Sequence, residues 1–136
     1  MTKLVDIATQ HDSASTTVMI VESHAELGTL WQRHLERLGM DVARVATQDA
    51  AIGLLSEKSF DIIVLDLILD EGSALAVADY ADYRQPDARV VFVTNTSFFS
   101  DGSIFSHSAN VRAFLPSTTP PDDLAAVVEH YGSDRH

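Results

Sequence analysis

The chain has 136 residues, enough for one domain with a well-filled core and too few for two ordinary ones. Twenty acidic residues against nine Lys and Arg leave a net charge of −11, which excludes a basic face for gripping nucleic acid. Cysteine is absent, so there is neither a disulfide framework nor thiolate chemistry. No apolar run approaches the roughly 18 residues that span a bilayer, and the start lacks a basic-then-apolar secretory pattern. A cytoplasmic protein with no membrane partner is the expectation.

Residues 1–17, ending HDSASTT, read as a polar leader with a short apolar patch at Leu4, Val5 and Ile7. A domain is expected over 18–131, followed by a short tail at 132–136. VMIV (18–21) is an apolar strand. Residues 24–38 carry Leu27, Leu30, Trp31, Leu35 and Leu38 at helical spacing, the stripe of a helix that faces a core. Ser23 followed by Glu26 fits a capping box, and Gly39 suits the residue just past the helix end. DVARVA (41–46) alternates as a half-exposed edge strand would, and 48–57 is helical with Ala51, Ile52, Leu54 and Leu55 inward.

The stretch DIIVLDLILDEGSAL (61–75) stands apart. Ile62, Ile63, Val64 and Leu65 run without alternation into Asp66, the pattern of a strand buried on both faces of a parallel sheet. A turn with Gly72 leads to a helix over about 73–84, closed by Pro86. RVVFVT (89–94) is a second fully apolar strand, ending in Thr94. Residues 99–110 form a weak fourth helix, diluted by Ser100, Gly102, Ser103, Ser106, Ser108 and Asn110. Phe98, Phe99, Ile104 and Phe105 there are unusually apolar for a solvent-facing segment, and an exposed subset would mark a partner or dimer surface. RAFLP (112–116) is a last strand, and a final helix opens with Pro120, Pro121, Asp122 and Asp123, carrying Leu124, Val127, Val128 and Tyr131 inward.

Five β–α units imply a doubly wound parallel sheet with helices on both faces. With the apolar strands central, the order is the flavodoxin-like 2-1-3-4-5, whose switch point lies between strands one and three. Glu22 and Asp66 end those two strands and are expected to face one crevice. Each acid has a plain reading as a loop cap beside its reading as a site. Thr94 reads equally as a strand-end hydrogen-bonder or a group for a phosphoryl oxygen, Phe114 as core or switch, and Ser23 first as an N-cap. His24, His34, His107 and His130 show no metal-ligand spacing and are read as surface or capping residues.

Taken together, VMIVES, VLDLILDEGS, VFVTN and RAFLPSTTPPDDL resemble, in order and spacing, the receiver domain of bacterial response regulators, over roughly 18–131. The resemblance implies the CheY-like version of the fold. It implies that Asp66 accepts a phosphoryl group from a histidine kinase. It also implies that Mg2+ is held by Glu22, Asp66 and the main-chain carbonyl of Ile68; Asp70, which the family pattern lacks, is a further candidate oxygen in this chain. Thr94 would hydrogen-bond the phosphoryl group and Phe114 would repack with it as the switch. Negative charge arriving at a carboxylate needs such a hard cation.

Three residues depart from the family pattern. Ser23 stands where a metal-ligating carboxylate is usual, Ser117 where a lysine pairs with the phosphoryl oxygens, and Asp70 where proline is common. One electrostatic donor at an active site is worth on the order of 3 kcal/mol, so Mg2+ binding and phosphorylation are expected to be weak. The expected function is that of a stand-alone signalling protein with no output domain, not an enzyme. It would work through contacts with a kinase or other signalling protein, or as a homodimer through the fourth helix, last strand and last helix. The alternative is a pseudo-receiver that binds partners without phosphoryl chemistry. A flavodoxin-like enzyme ranks lower, because no phosphate-cradling glycine motif follows the first strand.

Overall fold

Four consecutive apolar residues make a stable strand only where both faces are covered, and Ile62, Ile63, Val64 and Leu65 are all inaccessible to solvent in β3 (Ile62–Asp66). The computed structural model describes residues 15–94 and 110–133. Within them β1 (Thr17–Val21), β2 (Asp41–Val45), β3, β4 (Arg89–Thr94) and β5 (Val111–Pro116) form one parallel sheet in the order β2-β1-β3-β4-β5. The described helices are α1 (Ala25–Arg37), α2 (Gln48–Glu57), α3 (Ala74–Arg84) and α4 (Pro121–Ser133). This is the doubly wound order predicted from the apolar runs, with the half-exposed β2 at one edge.

The two-residue period of the strands divides the core into two layers. Met19, Val21, Ile63, Leu65, Val90 and Phe92 face Ala51 and Leu55 of α2 and Val77, Ala78 and Ala81 of α3. Val18, Ile20, Ile62, Val64, Val91 and Val93 face Trp31 and Leu35 of α1 and Leu124 and Val128 of α4. Each of the larger side chains among them, Val, Leu, Ile, Met or Phe, contributes about 1.5–3 kcal/mol through burial, so the sheet centre is a firm base for whatever projects from its end.

Helix ends are set by local chemistry. The Thr47 hydroxyl accepts the Ala50 N–H at the start of α2, and the Ser73 hydroxyl accepts the Ala76 N–H at the start of α3. Past α1, Gly39 takes φ 87° while its N–H reaches the Glu36 carbonyl and the Met40 N–H reaches the Leu35 carbonyl. That paired closure favours glycine, which has no Cβ to strain. Pro121 opens α4, where a missing N–H costs nothing.

Two expectations for α1 are corrected. Its N-cap is His24, with no side-chain cap bond, so Ser23 and Glu26 form no capping box. Ser23 is engaged in long-range bonds instead. Leu30 and Leu38 are 41% and 50% exposed rather than in the core stripe. The helix is turned toward Gly28, which is buried with Trp31 and Leu35. A Cβ at Gly28 would stand 2.7 Å from Arg44 Cδ and 3.5 Å from Glu22 Cβ, so the small residue, not the leucine, lets the helix come in close.

Of the segment predicted as a helix over 99–110, only Asn110 is among the described residues; it is buried, and its side-chain amide donates to the Ala88 carbonyl at 3.1 Å. Leu4, Val5, Ile7, Phe98, Phe99, Ile104, Phe105 and His107 lie outside them. Among the described residues no helix is long and apolar enough to cross a membrane.

Candidate functional site

Parallel pairing of β1 with β3 sets the site. Val18 lies opposite Ile62, Ile20 opposite Val64 and Val21 opposite Leu65; one residue further on come Glu22 and Asp66. Glu22 is still held by the sheet, its N–H donating to the Val45 carbonyl at 3.0 Å. Both acids therefore leave the carboxyl ends of neighbouring strands at the point where the winding reverses, the place where such sheets receive ligands.

Glu22 is completely buried. Its Oε2 accepts the His24 N–H at 3.0 Å and lies 3.0 Å from His24 Nδ1. No hydrogen-bond partner reaches its Oε1 among the described residues. Asp66 is half-buried, and its Oδ1 accepts the Ile68 N–H at 3.0 Å. Burial first, and then a hydrogen bond with Glu22, push the Asp66 carboxyl up to about 7, against the Ile68 N–H that favours the anion. The hydrogen bond and the charge of Glu22 raise the affinity of the exposed His24 imidazole for its proton above the usual histidine value. Side-chain ligand atoms of Glu22, His24 and Asp66 all lie within 4.8 Å of one another.

These groups open onto a cleft of about 400 Å3 lined by His24, Glu26, Leu27, Asp66, Ile68, Asp70 and Ser117. Ser23 forms a staple beside it: its hydroxyl donates to the Ala46 carbonyl at 3.1 Å and accepts the Asp70 N–H at 2.9 Å. The loop after β3 is clamped again by Gln48, whose side-chain carbonyl accepts the Ser73 N–H at 2.8 Å. Gly72 turns there with φ 98°, and a Cβ on it would overlap Gln48 Cβ. Asp70 and Ile68 are thus delivered to the cleft rim by two fixed points.

The remaining predicted residues stand further back. Thr94 is buried at the end of β4, and its carbonyl accepts the Ser117 N–H at 2.8 Å. Phe114 is half-buried and stacked on Phe92 with centroids 5.1 Å apart. Neither is among the cleft-lining residues. The chain has two lysines, Lys3 and Lys58. Lys58 follows α2 at the opposite end of the strands, 3.5 Å from Asp41, so it supplies no positive charge at Ser117. His34 has a partner too, Asp122 of α4 at 3.6 Å.

His24 is exposed and stands at the helix N-cap, as expected, but it also lines the cleft beside Glu22 and Asp66, which sequence reading missed. Spacing among the histidines held no signal; Glu-x-His immediately after a buried strand did, because the chain turns there and brings residues i and i+2 to one side.

A doubly wound parallel sheet in the order 2-1-3-4-5, with two acids at its switch point and a cleft beside them, is a flavodoxin-like α/β architecture. Residues 18–129 match the family model described as the response regulator receiver domain, and the chain belongs to that family. Over 75 residues, 55% of the chain, it is 32% identical to the luminescence regulatory protein LuxO of Vibrio campbellii, of which the match spans only 17%. The receiver domain protein of Methanospirillum hungatei superposes with a TM-score of 0.81 at 17% identity, over 88% of this chain and 95% of that one. The response regulator TrrA of Thermotoga maritima, solved in complex with Mg2+ and BeF, gives 0.74 at 16% identity, over 85% and 98%.

Receiver domains are signalling modules that bind Mg2+ in an acidic pocket, so the fit of this pocket matters. Two carboxylates, one of them buried with an oxygen that no donor reaches among the described residues, suit a divalent cation. The third side chain in reach is an imidazole, and the Ser23 hydroxyl has its hydrogen and one lone pair engaged elsewhere. That set departs from the all-oxygen shell Mg2+ prefers.

Proposed function

We propose that this chain is a receiver that signals through protein contacts and carries Asp66 as a slow phospho-acceptor. The observation that supports it most is the placing of Asp66: a half-exposed carboxyl on a rigid, fully buried strand, at the mouth of a cleft and against a buried second acid. In the reaction an Asp66 carboxylate oxygen would attack the phosphorus of a phosphohistidine or acyl phosphate. The P–N or P–O bond to the donor then breaks, and an acyl phosphate remains on Asp66. Ile68 N–H holds Oδ1, which fixes the carboxylate plane. A proton retained up to about pH 7 blunts the nucleophile, and the missing lysine leaves the arriving charge poorly offset. Slow reaction is the consequence.

The proposed partners are a histidine kinase or another signalling protein, and a second copy through the face of β5 and α4, in the cytoplasm. Incubation with Mg2+ and a small acyl phosphate tests the acceptor role: one phosphoryl mass is expected on the native chain and none on Asp66→Asn. Absence of the adduct would leave the second reading, a receiver that binds partners without phosphoryl chemistry. That reading is favoured by one observation, serines at 23 and 117 where a carboxylate and a lysine would serve the reaction.

A further inference from the structure

We propose that Glu22, His24 and Asp66 form a mixed nitrogen–oxygen site that selects a first-row transition-metal dication, of the Zn2+ and Co2+ kind, over Mg2+. The proposal deepens the reading of this cleft as a cation site and is independent of whether Asp66 takes a phosphoryl group.

Geometry comes first. Ligands about 2.0–2.2 Å from a metal stand roughly 3–4 Å from one another. The three candidate ligand atoms already lie within 4.8 Å of one another, so closing on an ion needs only side-chain adjustment. Glu22 is fully buried, yet Oε1 has no donor among the described residues. A carboxylate in that condition is costly without a compensating charge. A cation on the Asp66 and His24 side would satisfy it.

Ligand chemistry then decides which cation. Mg2+ demands near-octahedral oxygen donors and keeps several waters. Imidazole favours Zn2+, Co2+ and Ni2+ over Mg2+. The hydroxyl of Ser23 is engaged by Ala46 and Asp70, Glu26 and Asp70 line the cleft without joining the cluster, and the third ligand atom brought together with Glu22 and Asp66 is a nitrogen of the His24 imidazole. That ring is 70% exposed on the cleft wall, free to swing its nitrogen onto an ion while the open cleft leaves room for water in the remaining positions. His24 already sits at Glu22, so the pair is set to admit the metal between ring and carboxylate.

The test is calorimetric titration of the tag-free, chelator-treated full chain with Zn2+ and, separately, Mg2+ at pH 7.5, with Co2+ absorption as a second readout. Zn2+ is expected to bind at least about ten-fold more tightly than Mg2+. His24→Ala should remove about ten-fold or more of the Zn2+ affinity and leave Mg2+ nearly unchanged, and His24→Asp should reverse the preference. Glu22→Gln should also lose Zn2+, which separates this site from the other histidines. His24 is exposed, so its variants are expected to melt like the native chain. Equal affinities for the two ions, or Zn2+ binding indifferent to His24, would overturn the proposal. If no Zn2+ binds while acyl phosphate still labels Asp66 with Mg2+, only this inference falls. If Zn2+ binds as described and no label forms, only the acceptor reading falls.

Discussion

Glu22 and Asp66 stand side by side at the ends of β1 and β3, the first wholly buried and the second half-buried, with carboxylate oxygens within 4.8 Å of one another. Two carboxyl groups so placed cannot both ionise cheaply. Either a proton or a cation has to stand between them, and much of this protein's behaviour follows from which one does.

In the metal-free chain the proton prevails, and the pH dependence of stability has a definite sign. Asp66 releases its proton near pH 7 when folded, against an ordinary carboxyl value of 3.8. The folded state therefore binds more protons between those values, so this group's contribution to stability falls as pH rises through that window. His24, with its raised proton affinity, acts in the same direction as its own proton is lost. Asp66→Asn is expected to flatten the dependence and to exceed the native chain in stability at pH 8. Solvent on the open side of Asp66 screens part of the penalty, so the gain should be about 1 kcal/mol. Urea unfolding midpoints of both proteins at pH 5 and pH 8 measure it.

Glu22→Gln should change two neighbours at once. Replacing the carboxylate by an amide weakens the hydrogen bond that is the largest cause of the raised His24 pKa, removes the charge that is the next, and takes away part of the cause at Asp66. Both pKa values are expected to fall, His24 toward 6.5. An NMR titration of the His24 ring and the Asp66 carboxyl reads the two shifts directly; an unmoved His24 would mean the pair is not coupled in solution.

Ser23 ties the loop after β2 to the loop after β3, beside the clamp that Gln48 makes on Ser73. Ser23→Ala, by removing its bonds to Ala46 and Asp70, should cost about 1–3 kcal/mol. Ser23→Asp places a carboxylate where receivers usually ligate metal. It should tighten Mg2+ binding while losing the donor to Ala46, so affinity rises as the melting temperature of the metal-free protein drops. Thermal melts with and without Mg2+ separate the two effects.

Gly72→Ala combines a left-handed φ of 98° with overlap onto Gln48. About 1–3 kcal/mol of destabilisation is expected, concentrated in the loop that carries Ile68 and Asp70. Hydrogen exchange should show faster opening at Ser73, whose N–H is held by Gln48, with little change in β1.

Much of this arrangement was legible in the chain. Unbroken apolar runs at 18–21, 62–65 and 90–93 place three central strands, the alternation at 41–46 places an edge, and register then aligns Glu22 with Asp66. What escaped depended on tertiary contacts. A serine three residues before a glutamate looks the same whether its hydroxyl caps a helix or, as here, ties Ala46 to Asp70. Counting leucines turned α1 toward Leu30, when a glycine that packs closely carries no hydrophobic signal. His24 has no metal-ligand spacing to another histidine because its partner is the acid two residues before it.

The central claim is that Asp66 is a phospho-acceptor, and trapping the acyl phosphate tests it most directly. The native chain is treated with acyl phosphate and Mg2+, reduced with borohydride, and digested for mass spectrometry. Homoserine at position 66, lost when the acyl phosphate is omitted, is the expected result. An unreduced Asp66, or a reduced acid at Glu22 or Asp70 in its place, would contradict the account.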